Sequence, residues 1–136
     1  MAEDTGVRAI VSGGMFQSIN PATGAPGATH PEHTDAEVET RVARAHAFWA
    51  EWRTTDLKTR TDLLERIAEA FEADKRRLGE IATREMGKTL KSAIAEVEKC
   101  AAAFRYYAQN GPGMLAPRPV DVPGGKATSH YLPIGA

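Results

Sequence analysis

A single cysteine, Cys100, leaves this 136-residue chain without an internal disulfide framework and fits a reducing compartment. No apolar run approaches the ~18 residues that a membrane span needs. Neither sign of charge dominates: 17 basic and 18 acidic residues leave a formal net charge of -1. That balance removes the electrostatic case for a nucleic-acid partner, which would show as a basic surplus on one face. The N-terminus, MAEDTGVRAIVSGGMF, places acid before its apolar residues and has no long hydrophobic region, so it is not a secretory signal. Residues 1–15 read instead as a loose, disordered leader. Internal repeats and low-complexity tracts are absent. Together these gaps predict a cytoplasmic protein that binds neither membrane nor nucleic acid.

What is present is ordinary for one globular domain: 42% hydrophobic and 26% charged residues. "FQSINPATGAPGATHP" carries Pro21, Gly24, Pro26 and Gly27, and predicts a hairpin over residues 16–31 that turns at Asn20-Pro21. Helices are expected over residues 34–110. Thr34 and Glu37 form a capping-box pattern, and Val38, Val42, Ala45, Trp49 and Trp52 follow as one apolar stripe. Thr54 and Thr55 interrupt that helix. A second begins near Asp56 and buries Leu57, Leu64, Ile67, Ala68 and Phe71, and a third begins at Asp74 with Leu78, Ile81 and Met86 inward. From Thr89 a long helix carries Leu90, Ile94, Val97, Ala101, Phe104 and Ala108, and Asn110-Gly111-Pro112 is its stop signal. A second hairpin is expected over residues 118–133, with Val120-Asp121-Val122 and Thr128 to Leu132 as strands around a Pro-Gly-Gly turn. The fold class is therefore mostly α with short β hairpins.

Four features resemble functional motifs and are better read as structure. Gly87-Lys88-Thr89 matches the end of a phosphate loop, but a first glycine is required five positions before Gly87, where Ala82 stands. No strand precedes it either. Gly87 is expected to end one helix in a left-handed conformation and Thr89 to begin the next. His30 and His33 flank Pro31 in a turn with no further ligands nearby, while His46 and His130 are isolated. Cys100 has Lys99 as a neighbour, which could lower a thiol pKa. No histidine lies within one helical turn, so a small buried residue is the expectation. Arg105-Tyr106-Tyr107 is expected to pack the helix on a neighbouring layer, with the arginine paired at its edge. The residues themselves present no catalytic constellation, no metal site and no cofactor site.

Several stretches taken in order do resemble a known family. "SINPATGAPGATHPEHTDAEVETRVARAHAFWAEWR", "TREMGKTLKSAIAEV", "KCAAAFRYYAQNGPGML" and the closing "YLPIG" are similar to the start of the NAD(P)-dependent aldehyde dehydrogenases. Within that superfamily they look most like the bacterial succinate-semialdehyde dehydrogenases. The resemblance runs from about Ile19 to Gly135.

It implies the N-terminal helical layer of the aldehyde dehydrogenase fold, truncated before the Rossmann-like cofactor domain, and a second hairpin of oligomerisation type. In the family the catalysts are a cysteine thiolate, a glutamate base and an oxyanion-binding asparagine, with a glycine-rich turn for the dinucleotide. None of those motifs occurs here, and Cys100 matches a helix position rather than the nucleophile. Lys99 and Arg105 match a helix near the family's substrate entrance, where a surface ion pair is the expectation. Catalytic, cofactor-binding and metal-binding residues are therefore each expected to be none, and the chain alone is expected to be inactive. The complete enzyme would use NAD or NADP. The expected partners are the remainder of the enzyme, a full-length paralogue or further copies of the chain. The alternative is a stand-alone helical interaction module that docks on full-length paralogues.

Overall fold

The helices form because each start is chemically marked. In the computed structural model, which describes residues 14–135, helix α1 spans Asp35–Trp52 behind a complete capping box. The Thr34 hydroxyl accepts from the Glu37 backbone N–H at 3.3 Å, and the Thr34 N–H donates to the Glu37 carboxylate at 2.8 Å. Helix α2, Leu57–Ala73, is capped by Asp56, whose carboxylate accepts from the Thr59 N–H at 2.6 Å. Helix α3, Lys75–Met86, follows directly at Asp74, which pairs with Arg77 and provides no side-chain cap. Helix α4, Leu90–Met114, opens on Thr89, whose hydroxyl accepts from the Ser92 N–H at 3.3 Å.

Two small antiparallel sheets flank the helices. Strands β1 (Met15–Ile19) and β2 (Pro26–Pro31) pair Phe16 with His30, and a bulge follows Gln17. Their turn is held by local bonds, among them the Asn20 side-chain oxygen accepting from the Ala22 N–H at 2.9 Å. Strands β3 (Arg118–Val122) and β4 (Gly125–Ser129) pair Val122 with Gly125 across a two-residue turn in which Gly124 has φ of 76°. Pro123 then positive-φ Gly124 is the chemistry of a type II turn. The fold is thus mostly helical with short antiparallel strand pairs, as the sequence predicts. The leader reading falls on residues 1–13, which lie outside the described residues, and on Gly14 and Met15, the latter already opening β1.

The core sits where α4 lies across α2 and α3. It is made of small residues: Ala68, Ala93, Ala101 and Ala108 are buried, as is Gly79. Small side chains let helix backbones approach closely, but each removes little apolar area from water. Phe71 and Phe104 meet edge to face at 5.4 Å across α2 and α4.

Five local expectations change. The α1 stripe is not buried: Val38 and Val42 are exposed, and Trp49 and Trp52 are half-buried, beside His46 and Phe48 of their own helix and, for Trp52, Arg60 of α2. Periodicity shows which face is apolar, and here no other element packs extensively along that face. Met86 is 65% exposed rather than inward, because it is the last residue before the chain turns at Gly87. Helix α4 does not stop at Asn110 but runs through Pro112 to Met114. A proline removes one backbone donor and keeps a helical φ, so the disruption stays within the final turn. There the Leu115 N–H still reaches the Gly111 carbonyl at 3.0 Å. Strand β4 begins at Gly125 rather than Thr128, because the tight turn starts the ladder at once and Ser129 already lies opposite Arg118. Finally, Cys100 is exposed on α4, not buried.

Gly87 has φ of 72° and its N–H donates to the Thr83 carbonyl at 3.0 Å, so it closes α3 as expected. A β-carbon there would also come within 3.0 Å of Pro21 Cγ. Gly87→Ala is expected to lower stability by about 1 kcal/mol in urea denaturation, and ATP to leave the melting temperature unmoved. An ATP-dependent rise in melting temperature would contradict this reading.

Candidate functional site

The candidate residues do not converge. Thr89 spends its hydroxyl on the α4 cap, and the Lys88 ammonium pairs with Glu96, so two of the three residues that would hold a phosphate are already committed. His33 lies 4.0 Å from the Glu37 carboxylate, which is itself part of the α1 cap. His30 stands on β2, and no group of three or more metal-ligating side chains occurs among the described residues. Cys100 projects from α4 with no hydrogen-bond partner among the described residues.

Arg105 is where the polar chemistry concentrates. Its guanidinium crosses from α4 to α2, donating to both oxygens of Glu72, one of them at 2.7 Å, and it lies 3.6 Å from Glu65. Lys75 on α3 reaches Glu98 on α4 at 2.6 Å. These pairs bind α4 to both neighbouring helices at its surface, above a core of alanines. The ion-pair reading of Arg105 holds. The two tyrosines depart from expectation: Tyr106 and Tyr107 contact each other at 5.4 Å and remain exposed, with no layer over them.

Hydrogen bonding from Arg105 lowers the Glu72 carboxyl below the usual glutamate range, and Lys88 does the same for Glu96. A carboxylate depressed in the folded state contributes stability that is present above its unfolded pKa and lost as pH falls through its folded pKa. All these groups are solvent-facing, so the effect is modest and screened by salt. The urea midpoint is expected to fall on acidification below the ordinary glutamate range, and to fall less in Arg105→Met. Equal acid sensitivity in the two proteins would remove Arg105 from the seam.

A depression of about 600 Å³ lies between the first hairpin and α3 and is bordered by Ser18, Asn20, His30, Ile81, Arg84 and Glu85. Arg84 and Glu85 bring opposite charges to its rim, and the Ser18 hydroxyl donates to the Ala28 carbonyl at 3.4 Å. The depression has the chemistry of an uncovered packing surface. Two residues that matter were not singled out from sequence. Gly79, buried against Ile94, had a usable signal as an isolated glycine inside a helical pattern. Arg60, which bonds backbone carbonyls at the end of α1, had none.

Comparison with known proteins gives one consistent answer. The model of the aldehyde dehydrogenase family matches residues 10–136. The chain is 41% identical over 121 residues to a succinate-semialdehyde dehydrogenase [NADP(+)] of Mycobacterium tuberculosis, covering 87% of this chain and 26% of the relative. A second such enzyme, from Mycobacterium avium, is 42% identical over 122 residues with the same coverage. Among solved structures, a succinic semialdehyde dehydrogenase from Streptococcus pyogenes in complex with NADP+ superimposes with a TM-score of 0.79 at 32% identity, covering 85% of this chain and 25% of that one. One from Burkholderia pseudomallei gives 0.72 at 31% identity, covering 80% and 22%. The chain thus spans about a quarter of the length of the relatives it matches.

Proposed function

The chain belongs to the aldehyde dehydrogenase family, and on that premise we propose that it is the N-terminal scaffold of an enzyme oxidising succinate semialdehyde to the acid. The observation that carries the reading is the 41% identity to an enzyme named for that substrate, over a segment that is 26% of its length. NADP+ is the proposed electron acceptor, from the names of the same relatives. A nicotinamide accepts the hydride in this class of reaction, and the protein positions the reacting groups. On this reading the nucleophile, base and oxyanion donor belong to the remainder of the enzyme. The contribution of the described residues is a helical layer with its surface committed to capping and cross-helix pairs. The partner is the remainder of such an enzyme, and the place of action is the cytoplasm.

A second reading is a stand-alone module that docks on a full-length relative. The exposed apolar side chains of α1, among them Val42 and Phe48, favour it. One experiment separates the two. The chain is co-expressed with the part of the Mycobacterium tuberculosis relative that follows the matched segment, and NADP+ reduction with succinate semialdehyde is measured. Activity that needs both polypeptides is the expected result. Inactivity of the pair, with capture of the chain by the intact relative instead, would replace the scaffold reading with the docking module.

A further inference from the structure

Helix α1 is the one helix that shares no extended packing with another element of the described structure, and it contains no buried residue. Its direction must therefore be set at its base, where it meets α2. Residues Arg53 to Asp56 make that junction, at the carbonyl end of a helix, where the Trp52 carbonyl accepts from the Thr55 N–H at 3.1 Å.

Arg60, one turn into α2, turns back onto them. Its Nη2 donates to the carbonyls of Trp52 and Arg53 at 2.9 Å each and to that of Thr55 at 3.3 Å. Its Nε donates to the Thr55 hydroxyl at 3.1 Å, and that hydroxyl donates to the Trp52 carbonyl at 2.8 Å. The guanidinium also lies 5.8 Å from the Trp52 ring centre, a ring already stacked on Phe48. An arginine on a solvated helix face would extend outward or pair with an acid. Arg60 is half-buried and has no carboxylate partner among the described residues, while its neighbour Lys58 pairs with Asp62.

We propose that Arg60 is the positioning residue of an elbow, fixing the direction in which α1 leaves α2. Three features make the arginine specific. The planar fork presents several donors at once, its charge complements the negative end of the α1 dipole, and its plane lies by an indole. A lysine has one nitrogen, and cannot reach the Thr55 hydroxyl with a second while the first serves the carbonyls. The elbow turns α1 into a pre-oriented arm, with its apolar stripe held in one direction before anything covers it. This inference is independent of the enzymatic reading.

The test uses the chain's single, exposed cysteine as one of two spin-label sites. Glu39→Cys supplies a second label on α1, and Arg66→Cys supplies a control label on α2. Pulsed dipolar spectroscopy is run with labelled chain diluted into unlabelled chain, so that only intramolecular distances are read. In the parent, both pairs are expected to give one narrow distance distribution. In Arg60→Gln and Arg60→Lys the α1–α4 pair is expected to lose its single peak, while the α2–α4 pair stays narrow. Thr55→Val, which removes one acceptor, should broaden the α1–α4 pair less. Any of three results overturns the proposal: a narrow α1–α4 distance in Arg60→Gln, a broad one in the parent, or broadening of both pairs together.

Discussion

Incubated with succinate semialdehyde and either NAD+ or NADP+, the isolated 136-residue chain is expected to reduce no nicotinamide above the uncatalysed rate. Family chemistry begins with a thiolate, and the only thiol here is Cys100. It stands exposed on α4, and no hydrogen-bonded histidine or carboxylate among the described residues could take its proton. A positioned general base contributes about 10²–10⁴ in rate. An oxyanion donor contributes about 10²–10³ more. Losing both leaves a deficit on the order of 10⁴ or greater before cofactor binding is considered. The assay is absorbance at the reduced-nicotinamide band at high protein concentration. Reduction that disappears in Cys100→Ala would make Cys100 the nucleophile and overturn the scaffold reading.

Gly79→Val is expected to cost about 3 kcal/mol, enough to remove most of the cooperative unfolding of the helical layer. At a helix interior a larger residue ordinarily gains up to about 1 kcal/mol over glycine. Here the gain is outweighed by space. A β-carbon on Gly79 would stand 2.8 Å from Ile94 Cγ1 and 3.2 Å from the Ile94 backbone nitrogen. The side chain could swing aside, but the backbone of α4 could move only by separating the helices. Since that seam is lined by Ala93 and its equivalents, separation would expose most of the small core. Gly111→Ala is the control, because nothing lies within 4 Å of a β-carbon there. Urea midpoints at constant m-value measure both. Undiminished stability in Gly79→Val would mean that α3 does not rest on α4 as described.

Local chemistry was the legible part of this molecule. Thr34 with Glu37, the left-handed Gly87 and the cap at Thr89 are each determined within a few residues, and each takes the predicted form. The order of hairpins and helices follows from the same signals. What failed depended on a partner distant in sequence or on none being there. The α1 stripe has the spacing of a buried face, but spacing carries no information on whether another element arrives. Met86 reads as inward on the same basis, and Cys100 as a small residue of a type usually buried; both are exposed. The Arg105–Glu72 pair joins residues 33 apart, and Arg60 bonds carbonyls, which every residue possesses. For the candidate site, the glycine missing from the phosphate-loop pattern is a local fact, and Gly87 and Thr89 take the helix-end and cap roles read from sequence. The elbow at Arg60 could only be found in three dimensions.

The central claim is that these residues form a helical layer shaped to be completed by further polypeptide. Its physical basis is a core of alanines beside exposed apolar groups: Val42, Phe48 and Tyr107 on the helices, and Leu132 near the end of the described chain. Among the described residues, strands β3 and β4 pair only with each other, so each also presents an unpaired edge there. The most direct measurement is light scattering across a concentration series, joined to a near-ultraviolet circular dichroism melt of the same samples. A helical protein whose mass rises with concentration and whose melt is shallow is the expected result. A monodisperse monomer at every concentration, melting in one sharp cooperative step, would show that the helices close their own core and would contradict the claim.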